Sequence, residues 1–212
     1  MTTDFTLEPG APAPRPSLPV RVLLDTSHVV LQTERRLLSG LMFLLAGLVL
    51  LNVVTRYSGM PVYWVDEASV YAVVWLTFVG ASVMTRLRLD FCVGLITEKL
   101  GPRGVKIAQV ISTLGILVFG LSMIGMCLLW MDPIGIIRHG FDAREFGAQT
   151  FNFLYTERTQ TLNWPTWIVQ LILPLFSITL TLHALANLVE DLSLAPRRHH
   201  AGFHVSNPEL VN

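Results

Sequence analysis

Four long apolar stretches constrain the fold of this 212-residue chain more than any other feature. They lie at about residues 37–55, 66–85, 105–130 and 164–189. A helix needs about 20 mostly apolar residues to cross the ~30 Å hydrocarbon core of a bilayer. Backbone groups in lipid must be hydrogen-bonded within their own segment, and none of the stretches alternates like a barrel strand, so each is predicted to be helical. The sequence therefore predicts an all-α integral membrane protein with four transmembrane helices.

Composition supports a membrane protein and gives no sign of a nucleic-acid partner. Charged residues make up only 14% of the chain, whereas a soluble domain has about 25%. The 15 basic and 15 acidic side chains give a formal net charge of zero. We therefore expect membrane lipid, and no nucleic acid, among the binding partners.

The distribution of basic residues predicts the orientation in the membrane. Eleven of the 15 Lys and Arg residues fall in the N-terminal segment 1–36, in the connection between the second and third spans with its edges (as far as Lys106), and in the tail 190–212. The other four lie on the opposite side, which includes the long loop 131–163. The positive-inside rule then places both termini in the cytoplasm. Four tryptophans mark the predicted outer ends, as aromatic anchors do: Trp64, Trp130, Trp164 and Trp167.

The segment before the first span has no recognisable cleavable signal peptide, so the first span is expected to act as an uncleaved insertion signal. Residues 9–19 are rich in proline and are predicted to form a disordered tail. Residues 20–36 allow two interpretations. They could form an amphipathic helix on the inner membrane surface, or a short cytoplasmic extension of the first span.

Cysteine and histidine give no sign of a redox centre. Cys92 and Cys127 are predicted on opposite sides of the bilayer, too far apart for a disulfide, and both are interpreted as packing residues. His183 is the one histidine inside a predicted span, and a bis-histidine heme site would need facing pairs. We interpret His183 as a polar packing or inter-subunit residue.

The sequence also lacks the residues expected of an enzyme or of a self-sufficient transporter. It has no phosphate-binding loop, no hydrolase arrangement and no metal-ligand spacing, so no catalytic residue, cofactor or metal is predicted. Charged residues in a membrane core mark ion pathways, and here Asp66, Glu67 and Lys106 lie only at the ends of spans. Pro174 is a single candidate for a kink, not the paired helix breaks of secondary transporters. An accessory subunit is the interpretation that these features favour.

One face of the third span carries small residues at intervals of three and seven: Ser112, Gly115, Ser122 and Gly125. Small residues allow membrane helices to approach closely. The face could pack within this chain or against a helix of a partner, and the sequence favours neither.

Two adjacent acids, Asp66 and Glu67, open the second span beside Trp64. A proton site, a metal site, a helix start and a subunit contact are all conceivable for such a pair. Carboxylates in the first helical turn are stabilised by the positive end of the helix dipole, by roughly 0.3–1 kcal/mol each. Glu67 also begins a stripe with Tyr71 and Trp75, at steps of four residues, which a helix start alone does not explain.

This stripe belongs to a longer pattern that resembles a known family. "NVVTRY" closes the first span and "WVDEASVYAVVWLTFVGAS" forms the second. Together they resemble the small membrane subunit, of DctQ type, of tripartite ATP-independent periplasmic (TRAP) transporters. The motif positions are filled by Asn52, Arg56, Tyr57, Trp64, Glu67, Tyr71, Trp75, Gly80 and Ala81. The resemblance covers about residues 36–189, and the proline and tryptophan positions of the fourth span agree with it.

Two features depart from the family pattern. After the second span, Asp90 stands where the family usually has histidine, and Gly94 where it has aspartate. The outer loop 131–163 is longer than is common, and as an insertion it could contact a periplasmic partner or cap the bundle.

The resemblance implies a function that composition does not reveal. It implies a small permease subunit in the bacterial inner membrane, supporting a large multi-span subunit in sodium-coupled uptake of an organic acid. A periplasmic solute-binding protein would deliver the substrate. Arg56 is then expected to pair with Glu67, which leaves the stripe of Tyr71 and Trp75 to pack against the large subunit. A four-helix membrane redox protein and a self-contained small transporter remain the alternatives.

Overall fold

The computed structural model describes residues 17–89 and 101–197, which form seven helices. Their bounds are α1 Leu18–Tyr57, α2 Trp64–Leu87, α3 Pro102–Met131, α4 Pro133–Arg138, α5 Ala143–Thr150, α6 Thr166–Gln170 and α7 Ile172–Asp191. The predictions for most of the proline-rich tail, for Cys92 and for the departures at Asp90 and Gly94 fall outside the described residues. The end of that tail was predicted wrongly, because Leu18 and Pro19 form the first turn of α1, where a proline is tolerated.

Four segments of the described chain are long and apolar enough to cross a membrane: Leu18–Tyr57, Trp64–Leu87, Arg103–Arg138 and Thr166–Asp191. The predicted all-α fold with four transmembrane helices is therefore confirmed. The side of the membrane on which the termini lie stays a prediction.

Helix α1 is much longer than the first predicted span. Its 40 residues correspond to about 60 Å at 1.5 Å per residue, about twice the thickness of the hydrocarbon core. Residues 20–36 continue the first span as one unbroken helix. This arrangement agrees with the second of the two interpretations, an extension of the first span. Leu24, Ser27, Leu31 and Glu34 are buried along this part. Their steps of three and four residues place them on one face of the helix, and this face packs against α7.

Helix α7 is central, because it packs against α1, α2 and α3, while α1 also packs against α2. α3 approaches α7 closely at Gly120, where an added Cβ would lie 2.5 Å from the hydroxyl oxygen of Thr181. The predicted small-residue face of α3 points elsewhere. Gly115 and Gly125 have no heavy atom within 4 Å of an added Cβ, and Ser112 and Ser122 are exposed. Packing within the chain is thus excluded for this face, which leaves the partner interpretation open.

The fourth span, predicted as a single helix with a candidate kink at Pro174, is divided into two helices. α6 ends at Gln170 and α7 begins at Ile172, so Leu171 separates them. Pro174 explains the break, because it has no N–H to donate to the carbonyl four residues earlier.

The loop between the third and fourth spans is folded, and we call residues 132–163 the outer cap. It contains α4 and α5 around the buried side chains of Ile136, Phe146 and Leu154. The Tyr155 hydroxyl donates to the carbonyl of Met131 at 2.7 Å, which ties the cap to the end of α3. The loop therefore packs on the end of the bundle, which is one of its two predicted roles. The other role, contact with a periplasmic partner, stays a prediction.

Candidate functional site

The adjacent acids of α2 contact two different neighbours. Both lie in the first turn of the helix, as predicted, and successive residues in a helix project about 100° apart. Asp66 faces α1, and Glu67 faces the outer cap. The pair therefore joins three parts of the outer end of the molecule.

Asp66 is part of a closed polar group with the end of α1. Its carboxylate accepts hydrogen bonds from the Arg56 guanidinium at 2.7 Å and from the Asn52 amide. Arg56 also donates from Nε to the Asn52 side-chain oxygen at 2.9 Å. The predicted pair between Arg56 and Glu67 is wrong, since the ion pair of Arg56 is with Asp66. Both side chains are about half exposed (60% and 47%), and exposed pairs contribute only about 0–1 kcal/mol.

Glu67 accepts hydrogen bonds from a turn of the outer cap. Three consecutive backbone N–H groups donate to it, from Gln160 at 2.9 Å, Thr161 at 2.7 Å and Leu162 at 2.9 Å. The hydroxyls of Thr161 and Tyr71 also donate to this carboxylate. Successive N–H groups of this kind form an anion-binding concavity, and here the anion is a side chain of the same protein.

The turn that receives Glu67 is held closed by its own hydrogen bonds. Arg158 and Pro165 form an isolated antiparallel bridge, and the Thr159 N–H donates to the Trp164 carbonyl at 2.8 Å. The Thr159 hydroxyl accepts from the Trp164 N–H at 2.9 Å. The three N–H groups are thus oriented by the turn itself, and Glu67 fastens this turn to α2.

The other two residues of the predicted stripe, Tyr71 and Trp75, also form hydrogen bonds within the chain. The Trp75 indole N–H donates at 3.0 Å to the carbonyl of Val169, next to the break between α6 and α7. Tyr71 uses its hydroxyl on Glu67. The polar groups of Tyr71 and Trp75 therefore bond within the chain, while both side chains remain partly exposed. Contact of the stripe with a large subunit stays a prediction.

The other predicted site residues have packing or surface positions. Tyr57 is 91% exposed and Trp64 42% exposed, as expected of aromatic anchors at a membrane surface. Gly80 faces Leu38 of α1, with 3.7 Å between an added Cβ and the Leu38 side chain. Ala81 is partly buried beside it.

A buried polar group near the other end of the bundle was not anticipated from the sequence. Its centre is His183, which is fully buried. One ring nitrogen lies 2.8 Å from the Ser27 hydroxyl and the other 3.0 Å from the Glu34 carboxylate. Ser82 of α2 donates to Glu34 at 2.7 Å and also contacts Thr179. His183 is therefore a packing residue within this chain, which was one of its two predicted roles.

The second part of this buried group is an ion pair between α2 and α7. Arg86 Nη2 lies 2.7 Å from a carboxylate oxygen of Glu190, and the side chains are 1% and 3% exposed. Arg86 also donates to Asn187, whose amide donates to the carbonyl of Thr85 at 2.7 Å. The inner polar network, as we call this group, consists of Ser27, Glu34, Ser82, Arg86, Thr179, His183, Asn187 and Glu190.

A sequence signal for the inner polar network exists in retrospect. His183, Asn187 and Glu190 follow steps of four and three residues, which place them on one face of α7. The sequence alone indicates for Arg86 only a cytoplasmic positive charge, whereas in the structure this side chain is buried.

In the part of the chain that the structure describes, the polar groups join helices to one another and to the outer cap. Ser27, His183 and Glu34 form a hydrogen-bond chain, yet Ser27 and His183 are 0% exposed and Glu34 only 7%, so no substrate reaches the hydroxyl. Among the described residues, no cluster of three His, Cys, Asp or Glu side chains could hold a metal ion. Fold and site thus define a four-helix membrane protein whose internal charges connect its own helices.

Comparison with known families identifies the group to which this protein belongs. The family model for the DctQ component of tripartite ATP-independent periplasmic transporters matches residues 45–194. The chain is a member of this family, and so a small permease subunit of a TRAP transporter, as the motif in its first two spans predicted. The searches of curated proteins and of solved structures gave no match. The matched region contains both acids of α2 but begins after Ser27 and Glu34.

Proposed function

We propose that this chain supports a large multi-span permease subunit during sodium-coupled uptake of an organic acid, which a periplasmic binding protein delivers. The proposed location is the bacterial inner membrane. In this assignment the chain supplies a fixed helical scaffold and does not bind the substrate.

One observation carries the proposal: the buried charged side chains of the described spans are all paired within the chain. Glu34 contacts His183, Arg86 contacts Glu190, and Asp191 contacts Arg88 at 2.8 Å. Charged side chains in a membrane core either pair with other protein groups or mark ion and substrate pathways. These groups have protein partners that fix the packing of α7 against α1 and α2.

The apolar surface supports a role in an assembly. In the most apolar window of α1 only 6% of residues are buried within the chain, compared with 33% for the fourth span. Phe43 and Leu50 on α1 are 80% and 66% exposed. Apolar surface of this extent is covered by lipid or by a partner in a membrane, and a scaffold subunit provides it for a partner.

Transport by reconstituted proteins tests the proposal. The purified chain alone in liposomes is expected to take up no organic acid under a sodium gradient. Adding the large subunit and the binding protein should give uptake, and omitting this chain should abolish it. Sodium-driven uptake by the chain alone would instead identify a self-contained transporter, and a visible absorption band in the purified chain would identify a redox protein.

A further inference from the structure

A cavity of about 470 Å³ with a mixed polar and apolar lining lies between the start of α3 and the chain segment that follows α7. It is separate from the contacts of Asp66 and Glu67, which are at the other end of the helices. Its polar lining includes Lys106, Gln109, Asp191, Ser193 and Arg197.

The acids in the cavity wall are already neutralised by the protein. Asp191 is 3% exposed and accepts from Arg88 at 2.8 Å, Thr113 at 2.9 Å and Arg197 at 3.1 Å. Glu190 forms the buried ion pair with Arg86. The carboxylate oxygens on this wall therefore have little capacity left for a further cation.

Hydrogen-bond donors, by contrast, remain in excess. The Lys106 ammonium donates at 3.0 Å to a neutral partner, the Ser193 hydroxyl. Arg197 donates to Gln109 at 2.9 Å through the same Nη2 atom that contacts Asp191. Within the described part of the chain, its Nε and Nη1 have no hydrogen-bond partner, and the side chain is 53% exposed. The cavity thus presents positively charged donors to a molecule from outside.

The net charge of this region agrees with an anionic ligand. The lining itself has two cations, Lys106 and Arg197, and two acids, Glu190 and Asp191. Arg86 and Arg88 do not line the cavity, but they pair with these two acids, so the group as a whole has a formal surplus of two positive charges. The amino-terminal end of α3, which is 30 residues long, adds the positive end of a helix dipole on the same side.

The position of the cavity favours a lipid over a dissolved anion. The third candidate span begins at Arg103 and the fourth ends at Asp191. The cavity between these two ends therefore lies at the membrane surface, at the level of the lipid phosphates. This end is predicted to be cytoplasmic, and the cytoplasmic leaflet has a negative surface potential that attracts Lys and Arg.

We propose that this cavity binds the phosphate of an anionic phospholipid headgroup, with Lys106 and Arg197 as its charged donors and Ser193 as a neutral one. The lipid would join the ends of α3 and α7 at the membrane surface. The proposal is independent of the transport function, because it depends only on the cavity and its membrane level.

Native mass spectrometry of the full-length chain, released from detergent with defined lipids, tests the proposal. The wild-type chain should retain phosphatidylglycerol in preference to phosphatidylcholine. Lys106→Ala combined with Arg197→Ala should weaken phosphatidylglycerol retention by about tenfold, given that each basic residue near an anionic surface contributes appreciably to binding. Lys106→Arg should retain the lipid.

The matched control removes two other cations from the same predicted side, in Arg35→Ala combined with Arg36→Ala. This control should lose far less phosphatidylglycerol, and an equal loss would show diffuse charge attraction and overturn the proposal. Millimolar inorganic phosphate should not displace the lipid; full displacement would identify a free-phosphate site instead. If the double variant lacks the helical circular dichroism of the wild type, lipid retention is measured on Lys106→Ala instead. This single variant should fold, since the one hydrogen bond of Lys106 among the described residues is to Ser193. Unchanged retention in that variant would refute the proposal.

Discussion

At one end of the bundle Glu67 accepts hydrogen bonds from three backbone N–H groups of the outer cap, whereas at the other end Glu190 pairs with the guanidinium of Arg86. Glu67 and its neighbour Asp66 remain partly accessible to water. Arg86 and Glu190 are almost completely buried. Glu67 thus connects α2 to the outer cap in a partly hydrated setting, whereas Glu190 connects α7 to α2 in a buried one.

The difference determines what each contact contributes. A buried ion pair must offset the loss of hydration of both charges, so removing one partner is strongly destabilising, although replacing both can be neutral. A solvated contact contributes little to global stability, but it can fix the position of a loop. We therefore expect the inner polar network to specify the packing of α2 and α7, and Glu67 to specify where the outer cap sits.

The largest effect is expected when the buried pair loses one member. Glu190→Leu leaves the Arg86 charge buried with Asn187 as its remaining partner, and loss of one partner of a buried pair costs about 3–5 kcal/mol. The midpoint of thermal unfolding of the purified chain should fall by about 10 °C, at about 2–4 °C per kcal/mol for a chain of this size.

The double variant Arg86→Met with Glu190→Leu is the control for that measurement. It removes both charges, so it should recover much of the lost stability. An unfolding midpoint lower than that of Glu190→Leu would contradict this expectation, because it would show that Arg86 stabilises the fold even without Glu190.

A smaller and local effect is expected at the outer end. Glu67→Gln replaces a carboxylate oxygen with an amide group that repels the N–H groups of residues 160–162. Trypsin should then cut severalfold faster after Arg158, which borders this turn, while the unfolding midpoint changes less than in Glu190→Leu. Asp66→Asn is the matched variant, and its cleavage at Arg158 should stay near that of the wild type because Asp66 faces α1. Equal cleavage of both variants would contradict the division of roles between the two acids.

The smallest effect concerns the pH dependence of the outer cap. The carbonyl oxygens of Gly135 and Gln149 lie 2.7 and 2.9 Å from the two ring nitrogens of His139, and together they raise its pKa above the ordinary value. Only the protonated ring can donate to both oxygens. Because the folded pKa is raised, this contribution is fully present below about pH 6.5, the unfolded value, and is lost as the pH rises through the folded pKa.

Cleavage after Arg144 in the cap, measured as the ratio of wild type to His139→Gln, should therefore rise as the pH is raised. The ratio cancels the pH dependence of the protease itself. A ratio that does not vary with pH would show that His139 does not stabilise the cap by protonation.

The sequence predicted the spans and the first turn of α2 because both depend on local composition. Apolar length defines a membrane helix, and acids beside an aromatic residue favour a helix start at the membrane surface. The motif that identified the family also lies within one local stretch, so it could be recognised without knowledge of the packing.

The partners of the acids could not be predicted in the same way. The choice of Arg56 between Asp66 and Glu67 depends on how α2 is rotated relative to α1. The contact of Glu67 with residues 160–162 joins positions more than 90 residues apart. Likewise, Ser27 and Glu34 meet His183 only because α1 continues beyond its apolar part and packs on α7. Contacts of this kind depend on tertiary packing, which no local pattern encodes.

The central claim is that the charges of this chain fasten helices and do not carry the coupling ion. It is tested most directly by the sodium dependence of uptake in the complete reconstituted transporter, comparing wild type with Glu67→Gln and Glu34→Gln. The account predicts less assembled complex for both variants, but an unchanged sodium concentration for half-maximal uptake in the complexes that do assemble. A variant that assembles normally with the large subunit, yet shows an altered or abolished sodium dependence, would contradict it.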